Sequence, residues 1–361
     1  MESSKKTTVR DIAQRLNVSL CTVNKALTGK SGISEKRRAE IISVAKEMGY
    51  EVNHVAQALS RKTIKIGVII PSDWQQYFAP INEGMENALS DLSHSNVIGE
   101  ILHISTSKDI LPSFRYFSEN AFDIILYCPS IIELTDQDYE YLDQINIPIM
   151  LVGGDSSSVK NVCTVSIDSE LSGKMAADFL SVPLRKNDKV AVFIGSKQID
   201  THIGKAVAFV ERAQKNGLNV VAVHETGDVS KAIRDCIEDT IKEHPDLSGI
   251  YAATGNIEPL VQYFSDISGS NLPHIIATDV YDDVKINMQS GKVAATIFQN
   301  QMLMGRLSIE HAYKFIVQKT SYSINPLPLP SHIYVTPHLL LPSNFDNNEP
   351  YNGNDYRTDI N

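Results

Sequence analysis

Cysteine is scarce and tryptophan almost absent: Cys21, Cys128, Cys163 and Cys236 are scattered through 361 residues, and Trp74 stands alone. No two cysteines form a C-x-x-C pair, which argues for reduced thiols and against a disulfide framework or structural zinc, so no metal is expected. No run approaches the ~18 apolar residues of a membrane span, and the charged start MESSKKTTVR has no apolar stretch behind it. Both absences point to a cytoplasmic protein with no membrane partner. Enzyme signatures are missing too. There is no nucleophile elbow, Walker loop, H-E-x-x-H or G-x-G-x-x-G with a following acid, and no partner set gives the aspartates acid and base roles. Neither an enzyme nor a bound cofactor is expected.

What is present is enough apolar material, 42% of residues, for two or three folding units. Charge is divided unevenly between them. Through Lys62 there are 12 Lys and Arg against 6 Asp and Glu, a balance of +6 on a chain whose total is −10, leaving −16 for the remainder. A basic head on an acidic body suits a molecule that presents one end to phosphate and keeps the other away from it.

Within that head, residues 8–29 (TVRDIAQRLNVSLCTVNKALTG) read as two short helices joined by a tight turn. Thr8 with Asp11 three residues on is a capping box, and Val9, Ile12, Ala13 and Leu16 recur at helical spacing. Asn17 and Val18 make the turn, Ser19 caps the second helix, Val23, Ala26 and Leu27 lie inward, and Gly29 supplies the stop. Leu20, Cys21, Asn24 and Lys25 are left facing outward. In a helix-turn-helix the N-terminal part of the second helix enters the major groove, where these side chains would meet base edges. A third helix, capped by Ser34 and burying Ile41, Val44, Ala45 and Met48, completes a small core. Residues 51–63 carry Asn53 as a cap and Val55, Ala56 and Leu59 on one face. Helices shorter than ~12 residues are marginal in water, so this linker is expected to be helical only when held, for instance by DNA.

From Ile64 onward apolar runs (IKIGVII, FDIILYC, DKVAVFIG) alternate with amphipathic stretches at 78–92, 136–145 and 201–216, and further strands are expected at 219–223, 249–253, 274–278 and 293–298. Parallel sheets covered by helices follow. The number of units exceeds one sheet, and a break near 162–168 suggests two similar lobes with a ligand between them. Ligands in open α/β sheets bind beyond the carboxyl ends of strands. The residues there are Asp73, Trp74, Tyr77, Phe78, Asp155, Lys205, Thr254, Asn256, Asp279 and Gln299, a mixture of hydroxyl-binding groups and aromatic faces.

These residues resemble the lactose and galactose repressor family of bacterial transcription regulators. The likeness runs from Thr8 to about Asn344. TVRDIAQRLNVSLCTVNKAL is similar to the family's helix-turn-helix and MGYEVNHVAQAL to its hinge region; Asp168 with Gly173, Asp279 and ATIFQNQMLMGR are similar to motifs of its effector domain. The resemblance implies base readout by Leu20, Cys21 and Lys25, phosphate contacts from Thr8, Ser19, Thr22, Ser34 and Asn53, and a minor-groove hinge at Ala56 and Leu59. Leu20 and Cys21 can touch a thymine methyl, whereas Lys25 can reach guanine O6 and N7. Val52 stands where a hinge proline is usual and Lys205 where an effector-binding arginine is usual. AATGN at 252–256 replaces Ala-Ala-Asn-Asp, leaving Thr254 or Asn256 as the contact.

The expected architecture is an all-α head (1–50), a hinge (51–63) and a two-lobed α/β effector domain of periplasmic-binding-protein type (64–345). Its N-lobe would hold about 64–166 and 300–325, and its C-lobe about 167–297 and 326–345. The last residues, 346–361, lack apolar periodicity and are expected to be disordered. They carry no leucine heptads, so tetramers are not expected. The expected function is a homodimeric regulator, a repressor in the first instance, that binds a pseudo-palindromic operator and is controlled by a small carbohydrate or related metabolite. Two alternatives stay open: control by a phosphorylated protein corepressor, or a cytoplasmic solute receptor without DNA function.

Overall fold

The computed structural model describes residues 7–27, 32–48, 50, 63–129, 134–155, 159–267, 272–320, 329–345 and 356–359. The head consists of α1 (Val9–Leu16), α2 (Leu20–Leu27) and α3 (Glu35–Glu47). The Thr8 amide donates to Asp11 Oδ2 over 2.7 Å, and the Thr8 hydroxyl accepts from the Asp11 amide. Asn17, at φ +51°, ends α1 in the left-handed conformation that a tight turn needs. Ser19 and Ser34 accept amides of the first turns of α2 and α3. Ile12, Val23 and Ile41 are fully buried at the centre. Arg38 is an addition to the expected core: it is buried, and its guanidinium donates to the carbonyls of Lys25 and Ala26 at the end of α2. A cation there satisfies free carbonyls and complements the helix dipole. Gly29, Asn53, Ala56 and Leu59 fall outside the described residues, and with them the helix stop and the hinge expected there.

The body follows as β1 (Ile64–Pro71), α4 (Gln75–Asp91), β2 (Val97–Ile104), α5 (Ser107–Glu119), β3 (Ile124–Tyr127), α6 (Asp136–Gln144), β4 (Ile149–Val152), β5 (Cys163–Ile167) and α7 (Ser169–Leu180). Next come β6 (Lys189–Ile194), α8 (Asp200–Lys215), β7 (Asn219–Glu225), α9 (Ser230–Glu243), β8 (Leu247–Ala253), α10 (Glu258–Asp266), β9 (His274–Thr278), α11 (Asp282–Gln289) and β10 (Ala295–Phe298). The chain then forms α12 (Gln301–Thr320), β11 (His332–Val335), β12 (His338–Leu340) and β13 (Tyr356–Asp359). Among the described residues there are two sheets, ordered β13-β11-β5-β4-β3-β1-β2 in the N-lobe and β12-β10-β9-β8-β6-β7 in the C-lobe. Pairing is parallel except for β13 against β11 and β12 against β10. Their strands are continuous apolar runs because helices cover both faces; β1 and β3, for example, are buried along almost their whole length.

The structure corrects three expectations. Residues 163–167, expected as a break, are the fully buried strand β5, and the chain changes lobe only at Asp168, whose carboxylate caps α7 by accepting the Leu171 amide over 2.9 Å. Residues 332–335, assigned to the C-lobe, are β11 of the N-lobe sheet, paired parallel with β5 from His332↔Thr164 to Val335↔Ile167. Strands that lead into lobe crossings are short, and their partner is remote in sequence, so local patterning does not assign them. Lastly, the tail expected to be disordered contains β13, which adds antiparallel to β11 with Val335 opposite Tyr356. A sheet edge supplies hydrogen-bonding partners that composition does not reveal.

The N-lobe is fastened by a close crossing of α4 and α12. A Cβ at Gly84 would lie 2.0 Å from the Met302 carbonyl oxygen, and one at Gly305 would lie 2.0 Å from that of Ile81. Only hydrogen fits between these backbones. Because α12 begins three residues after β10, this contact also fixes where the C-lobe sheet returns to the N-lobe.

Candidate functional site

A cleft opens between the lobes at the carboxyl ends of their strands, with about 720 Å³ of space including its open mouth. Trp74, Tyr77 and Phe78 enter from the N-lobe; Lys205, Thr254, Asp279 and Gln299 enter from the C-lobe side and the β10–α12 crossing. The structure therefore brings together seven of the ten residues expected to bind the effector. Tyr77 is fixed by donating its hydroxyl to the Gly153 carbonyl over 2.6 Å.

Asp279 is the hub of the polar network. Its carboxylate accepts from Gln299 Nε2 (2.6 Å), Gln301 Nε2 (2.7 Å) and the Tyr281 hydroxyl (2.9 Å). The Lys205 ammonium donates to Gln299 Oε1 over 2.8 Å, so one amide bridges the cation to the anion. Asp279 itself sits at φ +69°, held by its amide on the Ile297 carbonyl and by the Thr296 hydroxyl on its own carbonyl. Trp74 and Asp228 are also left-handed, at φ +50° and +57°. Such conformations cost energy in residues with side chains and persist where the surroundings over-determine them.

Burial shapes the charges. It pushes the Asp279 carboxyl up, against the opposing pull of Lys205 and the three donors. It pushes the Lys205 ammonium down to about 8, opposed by Asp279 and Asp228. His202, in the first turn of α8, is held down to about 3 by burial and by Lys205, and is therefore neutral at physiological pH. Its Nδ1 accepts the Ser196 amide over 3.0 Å, which places the ring proton on Nε2.

Asp73, Asp155 and Asn256 are not part of the cleft lining. Asp73 is exposed beside the cleft. Asp155 turns to the crossing strands, accepting from the Thr164 hydroxyl at 3.3 Å and lying 3.9 Å from His332 Nδ1. Asn256 acts underneath the site, donating to the Asp228 carbonyl and to Ser230 Oγ. Sequence reasoning missed Asp228, His202, Tyr281 and Thr201. Asp228 was hidden because GDV after a strand reads as an ordinary turn. Tyr281 was within reach, since it follows Asp279 by two residues beyond the end of β9.

In the head, Leu20 (44% exposed), Cys21 and Asn24 face solvent from the first half of α2, and Lys25 is half-buried at its end. Thr8, Ser19, Thr22 and Ser34 all lie at helix N-termini. There the positive end of the helix dipole favours phosphate.

A helix-turn-helix head joined to a two-lobed α/β cleft defines a ligand-responsive DNA-binding regulator. The profile described as bacterial regulatory proteins, lacI family, matches residues 8–53, and that of the periplasmic binding protein domain matches residues 140–320. The chain thus carries a lacI-family helix-turn-helix domain and a periplasmic-binding-protein domain, and is a DNA-binding transcription regulator whose relatives are of the lactose and galactose repressor type. It is 22% identical to the ribose operon repressor of Halalkalibacterium halodurans over 343 residues, covering 93% of this chain and 96% of the relative. It is also 22% identical to catabolite control protein A of Priestia megaterium, covering 89% and 96%. Among solved structures, the fold is shared with AraP, an arabinose binding protein from Geobacillus stearothermophilus (TM-score 0.67, 19% identity, 79% of this chain and 99% of that one). It is shared as well with GanP, a glucose-galactose binding protein from the same organism (TM-score 0.66, 17% identity, 79% and 99%).

Proposed function

We propose that this regulator is a cytoplasmic homodimeric repressor of a pseudo-palindromic operator, and that a small carbohydrate or related polyol bound between its lobes controls operator affinity. The observation that carries the reading is the Lys205–Gln299–Asp279 network facing Trp74, Tyr77 and Phe78. Carboxylates and amides match the donors and acceptors of sugar hydroxyls, while aromatic faces cover the apolar C–H side of a sugar ring. The ligand favours one lobe arrangement, the arrangement alters the spacing of the paired hinges, and the heads gain or lose their grip on two half-sites. In the head, Lys25 reads a base while Thr8, Ser19, Thr22 and Ser34 position the helices on phosphate.

The test is thermal unfolding of the full chain against neutral mono- and disaccharides, amino sugars, sugar acids and sugar phosphates. A ligand at 100 times its Kd stabilises by ~2.7 kcal/mol. At roughly 2–4 °C per kcal/mol for domains of 150–250 residues, the midpoint rises by several degrees. No shift with any sugar contradicts the reading.

A further inference from the structure

The Asp228 carboxylate is built into the cleft with unusual care. The residue lies on the loop after β7 at φ +57°, and three neighbours hold it there. The Gly227 amide donates to the Gly195 carbonyl over 2.6 Å, Asn256 Nδ2 donates to the Asp228 carbonyl over 2.9 Å, and the Thr254 hydroxyl donates to Asp228 Oδ1. Its other oxygen lies against Gly195, where a Cβ would come within 2.4 Å of Oδ2 and within 2.9 Å of His202 Nδ1. A side chain at 195 would evict both the carboxylate and the imidazole.

The charges around the cleft do not balance. Asp228 and Asp279 each bring a carboxylate, and Lys205 alone among the cleft-lining residues brings a cation. His202, the other basic group there, is neutral, and Tyr77 and Tyr281 are pushed up by burial, so they remain neutral phenols. Lys205 and Asp279 are joined through Gln299, and Asp279 has three donor contacts in Gln299, Gln301 and Tyr281. Burial pushes the Asp228 carboxyl up, opposed by the Thr254 hydroxyl, by Lys205 and by the Gly255 amide, and Lys205 is shared between the two carboxylates, so the cleft holds one carboxylate more than it has cations.

We propose that the effector is a polyhydroxylated compound bearing a positive charge, an amino sugar in its simplest form, and that Asp228 receives its ammonium. The proposal rests on the sugar-binding reading above and narrows it. A neutral sugar would seal an ionised carboxylate from water without a counter-charge or force it to take up a proton. A sugar acid or phosphate would add a like charge beside two carboxylates. An ammonium supplies the missing cation and a charge-assisted hydrogen bond.

The experiment is isothermal titration of the full chain at pH 7 with glucose, galactose and mannose, with their 2-amino, 3-amino and 6-amino deoxy counterparts, and with gluconate and glucose 6-phosphate. The expected result is that at least one amino sugar binds tenfold or more tightly than its matched neutral hexose, with the anions weakest. Asp228→Asn, checked for folding by circular dichroism, is expected to bring that pair within about twofold of each other. A neutral hexose that binds as tightly as every amino counterpart, or an anion that binds tightest, overturns the charge assignment and leaves the sugar reading intact. Retention of the amine preference by folded Asp228→Asn overturns the role of Asp228. No binding by any member of the panel sinks the sugar reading and this inference together. The ranking in the unsubstituted chain decides the ligand's charge even if the variant does not fold.

Discussion

The Lys205 ammonium donates to Gln299 Oε1 over 2.8 Å, and the other end of the same amide donates to Asp279. The cation is thereby held from α8 and the anion from the end of β9, with the bridge on the crossing that returns the chain to the N-lobe. Site and lobe crossing are parts of one hydrogen-bonded unit.

Lys205 gives stability a pH signature. Its ammonium is pushed down to about 8 in the fold, against an ordinary value of 10.5 when unfolded. Between these values the unfolded chain holds the extra proton, so the Lys205 contribution to stability rises with pH. The unliganded protein is expected to gain stability relative to Lys205→Met as pH rises from 8 to 10.5. Chemical denaturation at several pH values checks this, and parallel curves for the two proteins would refute it.

His202 acts at the acid end. The fold keeps the ring neutral down to about 3, whereas the unfolded ring takes its proton near 6.5. Its contribution is therefore complete above 6.5 and is lost as pH falls from 6.5 towards 3. His202→Gln is expected to lose less stability than the parent over that window. An identical slope in both would show that His202 is not the acid-sensitive group.

Packing of α4 on α12 is expected to tolerate no methyl. With backbone oxygens 2.0 Å from either added Cβ, Gly305→Ala or Gly84→Ala must push the helices apart. Overpacking of this kind costs ~1–3 kcal/mol. The thermal midpoint should fall by several degrees in each. The double variant should cost less than the sum, since both changes open one crossing. Full additivity would mean that the two glycines relax independently.

In the head, reading and positioning are expected to separate. Lys25→Ala should relax the preference at one base position, losing ~1–3 kcal/mol of discrimination there. Ser34→Ala, at a helix N-terminus, should weaken binding to all sequences alike. Selection from random DNA followed by affinity measurement distinguishes the two. Unchanged sequence preference in Lys25→Ala would remove it as the reader.

How much of this was visible in the sequence depends on how local each signal is. The capping box at Thr8 and Asp11, the turn at Asn17 and the inward faces of Ile12 and Val23 are set by neighbours within a few residues, and the structure has them as read. The same holds for strands such as His274–Thr278 and for Asp279 and Gln299 just beyond strand ends. Strand β2 escaped notice because Gly99, Glu100 and His103 interrupt its apolar run, which an edge strand with one side open tolerates. β5 and β11 pair across more than 160 residues, and that partnership has no local trace. Asn256 and Asp228 exchanged roles for the same reason. Asn256 has the residue type expected of a ligand contact yet supports a loop, whereas Asp228 has the local sequence of a turn and faces the cleft.

Ligand in the cleft is expected to change the grip of the head on DNA. Fluorescence anisotropy of the full chain on a duplex selected from random sequence, with and without a saturating sugar that raises the thermal midpoint, tests it most directly. The sugar is expected to change DNA affinity about 5- to 150-fold, a coupling of ~1–3 kcal/mol. A sugar that stabilises the protein yet leaves DNA affinity unchanged would contradict it.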